Sequence, residues 1–115
     1  MSSRGIRIVP DVLRTSLFGA IGAGYTAIGA VYTNPIRILS IKNMTNQTLV
    51  FSYDGVNDEE ILPAASGLVL DFCSNSAGGS TFPFIAAGTT IFVKHNGVAP
   101  TSGQVSISAY FCLGD

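Results

Sequence analysis

Gln104-Val-Ser-Ile-Ser-Ala-Tyr-Phe111 decides the fold. Val105, Ile107, Ala109 and Phe111 alternate with Gln104, Ser106, Ser108 and Tyr110. Successive side chains of an extended strand point to opposite faces, so a period of two marks a half-buried strand. Working outward, residues 90–95 (Thr-Ile-Phe-Val-Lys-His) form a second strand, ended by the turn dipeptide Asn96-Gly97. The intervening loop contains Pro100 and Ser102, and the expectation is that these two strands make a hairpin with a long connection. Residues 47–53 alternate Leu49, Phe51 and Tyr53 against Thr48, Val50 and Ser52, and residues 67–73 set Leu68, Leu70 and Phe72 on one face. Residues 35–42 carry apolar side chains at both parities, as expected of a central strand. Shorter strands are expected at 25–31 and at 82–85, the latter confined to an edge or strand start by Pro83.

No stretch shows a helical stripe with caps. Short strands separated by Gly, Pro, Asn and Ser indicate an all-β sandwich or barrel. The chain has 115 residues, enough for one small domain. It is 47% hydrophobic and 11% charged, against about 25% charged in an ordinary soluble domain. Such a chain leaves apolar surface showing unless a partner covers it, and a copy of itself is the simplest cover. The net charge of −1 supplies no field for nucleic acid, and Lys42 and Lys94 are the only lysines.

The N-terminus differs from the rest. Arg4, Arg7 and Arg14 against Asp11 make residues 1–14 basic, with Ile6, Ile8 and Val9 among them. This segment reads either as an edge strand or as an arm reaching a neighbouring subunit, ahead of a sandwich domain over residues 15–115. Pro10, Asp11 and Arg14 interrupt any apolar run of the kind a signal peptide needs. Residues 15–36 carry no charge, but Gly19, Gly22, Gly24, Gly29 and Asn34-Pro35 make a poor membrane span. The uncharged texture of residues 17–24 resembles a fusion peptide, yet no heptad system accompanies it, and the glycines read as turns or close packing. Cys73 and Cys112, with no C-x-x-C spacing, read as free thiols, with one disulfide as the alternative in an oxidising medium. By the same distribution, the charge-poor stretch 72–115 is expected to face other subunits.

Little in the sequence carries reaction chemistry. His95 is the only histidine, so one chain cannot build a two-histidine metal site, and its place before a turn suits a surface residue. No nucleophile elbow, phosphate loop or dinucleotide fingerprint occurs. Asp54, Asp58, Glu59 and Glu60 crowd residues 54–60. Their spacing is not that of a calcium loop, and a solvated hairpin turn is expected. Asn43-Met-Thr45 and Asn46-Gln-Thr48 match the glycosylation pattern but read as turn residues. Neither a cofactor nor a small-molecule substrate is implied. A sugar-binding role would fit a β-sandwich, although tryptophan is absent.

Taken as a whole, the chain resembles small virion structural proteins of tailed bacteriophages. The resemblance runs through Leu13-Arg-Thr-Ser-Leu-Phe-Gly-Ala-Ile21, Tyr25-Thr-Ala-Ile-Gly29 and Asn34-Pro-Ile-Arg-Ile-Leu39. It continues in Asn46-Gln-Thr-Leu-Val-Phe-Ser-Tyr-Asp-Gly55, Leu62-Pro-Ala-Ala-Ser-Gly67 with Asp71-Phe72, and Gly88-Thr-Thr-Ile-Phe-Val-Lys94. It implies a small jelly-roll-like β-sandwich with an extended N-terminal arm, repeated by symmetry on a particle. The expected role is a non-enzymatic cement or decoration protein of the capsid, made in the host cytoplasm and resident in the virion. Neck, collar or tail positions are alternatives, as is a carbohydrate-binding module. Expected partners are copies of itself and other virion proteins, with no nucleic acid and no membrane. Arg4, Ile6, Arg7, Ile8 and Arg14 are the candidate contact residues.

Overall fold

The computed structural model describes residues 6–71 and 85–114, with side chains over 8–71 and 85–111. Nine strands are described: β1 (Ile6–Pro10), β2 (Arg14–Leu17), β3 (Thr26–Ala27), β4 (Ile38–Asn43), β5 (Leu49–Ser52), β6 (Glu60–Leu62), β7 (Ser66–Asp71), β8 (Phe92–His95) and β9 (Gln104–Gly114). One sheet runs β1-β9-β4-β7 with β2 also on β9, and the other runs β3-β8-β5-β6. Every pairing is antiparallel. β1 and β2 are two halves of one interrupted edge, since β2 pairs with residues 104–107 of β9 and β1 with residues 110–114. Counted as one, they give eight strands nested first with last: β2 on β9, β3 on β8, β4 on β7, β5 on β6. That is the rolled-up order of a jelly roll.

Alternation selects the core. Val105, Ile107 and Ala109 of β9, Leu39 and Ile41 of β4, Leu49 and Phe51 of β5 and Val93 of β8 are buried between the sheets. Ile21, Ile28, Tyr32, Ile36 and Ile91 join them from connecting segments. Each large apolar side chain so buried contributes about 1.5–3 kcal/mol relative to exposure. The two sheets are also riveted by one polar residue. Asn43, fully buried at the end of β4, donates from Nδ2 to the carbonyls of Gln47, Leu62 and Pro63 at 2.9, 3.0 and 3.1 Å. Its Oδ1 accepts from the Thr45 backbone N–H at 3.0 Å and from the Thr45 hydroxyl at 2.6 Å. A buried amide with its donors and acceptor satisfied ties β4 of one sheet to β6 of the other.

Several sequence expectations change. The strands at 90–95 and 104–111 are not a hairpin. β8 and β9 lie in different sheets, because residues 96–103 cross the end of the sandwich, turning at Gly97 and Gly103 with φ of 88° and 89°. β3 is only Thr26–Ala27, and the chain beyond it makes scattered bonds, from Ile28 N–H to Ile91 and from Tyr32 N–H to Thr89. Of the strand expected at 82–85, Ile85 forms one isolated bridge with Ile36; the rest lies outside the described residues, as does Cys73. Of the charge-poor stretch 72–115, β9 has both edges paired and turns Val105, Ile107 and Ala109 into the chain's own core.

A β-carbon on Gly103 would lie 2.0 Å from the Met44 carbonyl oxygen, whereas one on Gly88, at φ 93°, meets nothing within 4 Å. Gly88→Ala is expected to cost about 1–2 kcal/mol from backbone conformation alone. Gly103→Ala must also separate β4 from β9 and should cost about 3 kcal/mol or more. Urea melts of the two variants compare these costs directly.

Candidate functional site

The N-terminal candidates divide between outside and inside. Ile8 is 53% exposed on β1 and Leu17 is exposed on β2, both opposite even-numbered residues of β9 and so on its outer face, and Val12 and Leu13 between the two strands are exposed as well. These last three lacked a sequence signal, because alternation around Arg14 was too short to assign a face. Arg14 is directed into the chain. Its guanidinium carbon sits 3.7 Å from the centroid of the buried Tyr32 ring. Nη1 lies 3.6 Å from Asp11 Oδ1 and donates to the Val12 carbonyl at 3.2 Å. Gly29, at φ 73°, makes this possible: a β-carbon there would be 2.7 Å from Arg14 Cδ. Arg14 is therefore a positioning residue that fastens β2 to the 28–32 segment by cation–π contact and packing. Ile6 and Arg7 pair through their backbones with Gly114 and Leu113. Residues 6–10 thus occupy an edge of their own sheet, and Arg4 lies outside the described residues.

The second assembly is the 54–60 loop. It joins β5 to β6 as a hairpin, and it folds back over the outer face of its sheet. Gly55, at φ 78°, faces the Phe92 ring, which a β-carbon would meet at 3.3 Å. Ser52, of opposite parity to Leu49 and Phe51, is buried beside the loop, its hydroxyl donating to Asp54 Oδ1 at 2.7 Å. The loop's carboxylates are committed to protein donors. Asp54 Oδ1 accepts from the Val56 and Asn57 backbone N–H groups at 2.8 and 2.9 Å and from the Ser52 hydroxyl at 2.7 Å. Glu59 accepts from the Tyr53 N–H at 2.8 Å, and Glu60 from the Tyr53 hydroxyl at 3.3 Å.

Asp58 forms the latch. It accepts from the Tyr25 hydroxyl and pairs with Lys94 Nζ at 3.1 Å, while Nζ also stands 4.7 Å from the Tyr25 ring centroid. The nearby Asn57 and Val56 N–H groups, then the Ser52 hydroxyl and the Asn57 amide, hold Asp54 well below the usual carboxylate range. The Tyr25 hydroxyl, then Lys94, lowers Asp58. Burial followed by Asp58 raises the Tyr25 phenol, and burial followed by Glu60 raises Tyr53.

Little else is assembled for chemistry. His95 is half-buried at the end of β8 opposite Leu49, and its Nδ1 is buried without a hydrogen-bond partner. Among the described residues, no three His, Cys, Asp or Glu side chains converge as metal ligands, and no helix is long and apolar enough to cross a membrane. Asn43 of the first glycosylation pattern is locked inside the core. Asn46 of the second is bonded to Thr101, donating at 2.7 Å and accepting at 2.9 Å. Residues 17–24 form a turn whose Ile21 enters the core.

These features define a small jelly-roll sandwich whose polar groups are spent on holding its own loops and edges. No protein-family model, curated protein or solved structure matches the chain.

Two consequences are measurable. Arg14→Ala removes the cation–π contact and its packing and should cost about 1–3 kcal/mol, with Arg14→Lys recovering part of the loss, in thermal melts at fixed pH. Because Asp54 and Asp58 titrate low in the fold, the unfolded chain binds protons first as acid is added. Their stabilisation is complete above the ordinary carboxylate pKa of about 4 and is lost as pH falls below it. Melting temperature should drop on the acid side of about pH 4, and Asp54→Asn should flatten that slope.

Proposed function

We propose that the chain is a non-enzymatic structural protein of a tailed-phage virion, assembling as a symmetric oligomer that cements or decorates the capsid. The observation that carries the reading is the set of exposed apolar side chains Ile8, Val12, Leu13 and Leu17 along the N-terminal segment on a chain with only 11% charged residues. Surface of this kind is covered in a working assembly. The resemblance of most of the chain, from about residue 13 onward, to virion proteins supplies the setting, and a jelly roll, whose sheets are built from rigid paired strands, suits a subunit that acts by contact alone. Cementing requires only buried area. Each contact is modest, and repetition over a symmetric particle multiplies it through effective concentration. The basic segment's role is accordingly divided. Ile8 and its apolar neighbours face outward for contact, and Arg14 works within the chain to hold their strand in place.

Imaging of intact particles tests this reading. Stoichiometric copies on the shell are expected, whereas density at the neck or tail would move the protein to the head–tail junction. Its absence from particles, or glycan binding by the isolated domain that depends on residues 54–60, would overturn the proposal. Ile8→Glu should weaken rebinding to particles stripped of the protein by about tenfold or more, with the melting temperature unchanged.

A further inference from the structure

We propose that two copies of the chain exchange their N-terminal segments about a two-fold axis. Residues 6–17 of each lie on β9 of the other, and the turn at residues 18–20 is the hinge. This names the contact for the oligomer in the proposed function and rests on that reading.

The segment is attached as one piece. β1 and β2 pair with β9 and, among the described residues, with no other strand. A short link, Phe18-Gly19-Ala20, joins β2 to Ile21, which is fixed in the core. The link is a single tight turn with all three residues exposed and no side-chain cap. One hydrogen bond closes it, from the Ile21 N–H to the Phe18 carbonyl at 3.2 Å. Neither packing nor a left-handed backbone calls for glycine at position 19, where a β-carbon would meet nothing within 4 Å. A glycine in such a place costs entropy to order, and what it supplies is freedom to open.

Exchange leaves the segment's own contacts unchanged. The nine residue pairs of β1 and β2 with β9 form equally well between chains. Arg14 keeps its stack on a Tyr32 ring and its room beside a Gly29. The balance between closed and exchanged forms therefore rests on the link and on the surface two copies newly share. Opening the link gives up its one hydrogen bond. In return it covers the apolar side chains that flank it, Leu17, 64% exposed, and Phe18, 38% exposed. A three-residue link spans about 10 Å when extended, so the two-fold axis passes close to both. Leu17 and Phe18 of one copy then meet the partner subunit's Leu17 and Phe18.

The site for the exchanged segment is already visible, because the chain fills it with its own. Only another copy offers a β9 edge in this register with a tyrosine placed to receive Arg14. The link also stands clear of the places where description of the chain breaks off. Leu17 is opposite Gln104 at one end of the sheet. Ile6, Asp71 and Ile85 are opposite Gly114, Ile38 and Ile36, toward the other end.

Cross-strand capture tests the exchange. Thr15 and Ser106 are directly opposite in the β2–β9 register. In a Cys73→Ser, Cys112→Ser background, chains carrying Thr15→Cys are refolded with chains carrying Ser106→Cys and mildly oxidised. Exchange joins them in a covalent species of twice the 12.0 kDa chain mass. Thr15→Cys chains refolded with Ile61→Cys chains, altered at an exposed position on β6, stay separate. Gly19→Pro drives Phe18 toward extended backbone and should raise the dimer share about tenfold. A Gly-Ser-Gly-Ser insertion after Gly19 lets the segment fold back on its own chain and should lower that share about tenfold. Sedimentation of both link variants with their native cysteines reads the same equilibrium without the cysteine substitutions. Lack of capture between positions 15 and 106, equal capture at 61, or a dimer share unmoved by both link variants overturns the exchange. Stoichiometric copies on particles together with such a result would leave the virion role standing and remove only the exchange.

Discussion

The fold depends on the pairing of β9 along both edges. Its eleven residues (Gln104–Gly114) accept β2 and then β1 on one side and β4 on the other. Through β4 it is connected to β7, and through the crossing at residues 96–103 to β8 and the second sheet. A slip of one residue would turn Val105, Ile107 and Ala109 to solvent and bring Ser106 and Ser108 into the core. Gly103 guards against that slip. Its left-handed turn brings the chain within van der Waals distance of the Met44 carbonyl, where no larger residue fits, and Met44 N–H bonds to Gln104 at 2.9 Å. The register of the largest sheet is thus set at one end by a backbone collision and along its length by burial.

Polar groups act as fasteners in this charge-poor molecule. Asn43 joins the sheets, Arg14 holds the N-terminal strand on Tyr32, and Asp58 latches the acidic loop to Tyr25 and Lys94. Each lies where a segment without much apolar area of its own must be kept in one place. Hydrogen bonds and cation–π contacts give direction at such points, which burial alone does not. The consequence for function is that the acidic loop, the most ligand-like feature of the sequence, is occupied with the chain's own donors.

Much of the sandwich was legible from alternation. β5, β7 and β9 each overlap a stretch of period two, because a strand with one buried face must repeat every second residue, while β4 and β8 overlap stretches read as strands from apolar content and turn signals. β1, β2 and β6 were not placed as strands with any certainty: three to five residues give too few alternations, and their pairing comes from neighbours. The two-residue β3 is shorter than its apolar stretch for the same reason. Alternation alone does not show that both faces of β5 are buried. Val50 and Ser52 have the parity opposite to Leu49 and Phe51 but are buried too, Ser52 with its hydroxyl bonded to Asp54 of the 54–60 loop.

Sequence alone determined that the chain is all-β and which side chains of β7 and β9 face the core, since these follow from local periodicity. Tertiary structure decided which strands are neighbours. Adjacent strands β8 and β9 part into different sheets, and distant β2 and β9 meet, because pairing is chosen by total burial across the whole chain rather than by separation along it. It also decided the duties of charged residues: Arg14 turned inward to Tyr32 and Asp58 engaged by Lys94. Such partners are remote in sequence, and no local pattern encodes the distance at which two side chains come to rest.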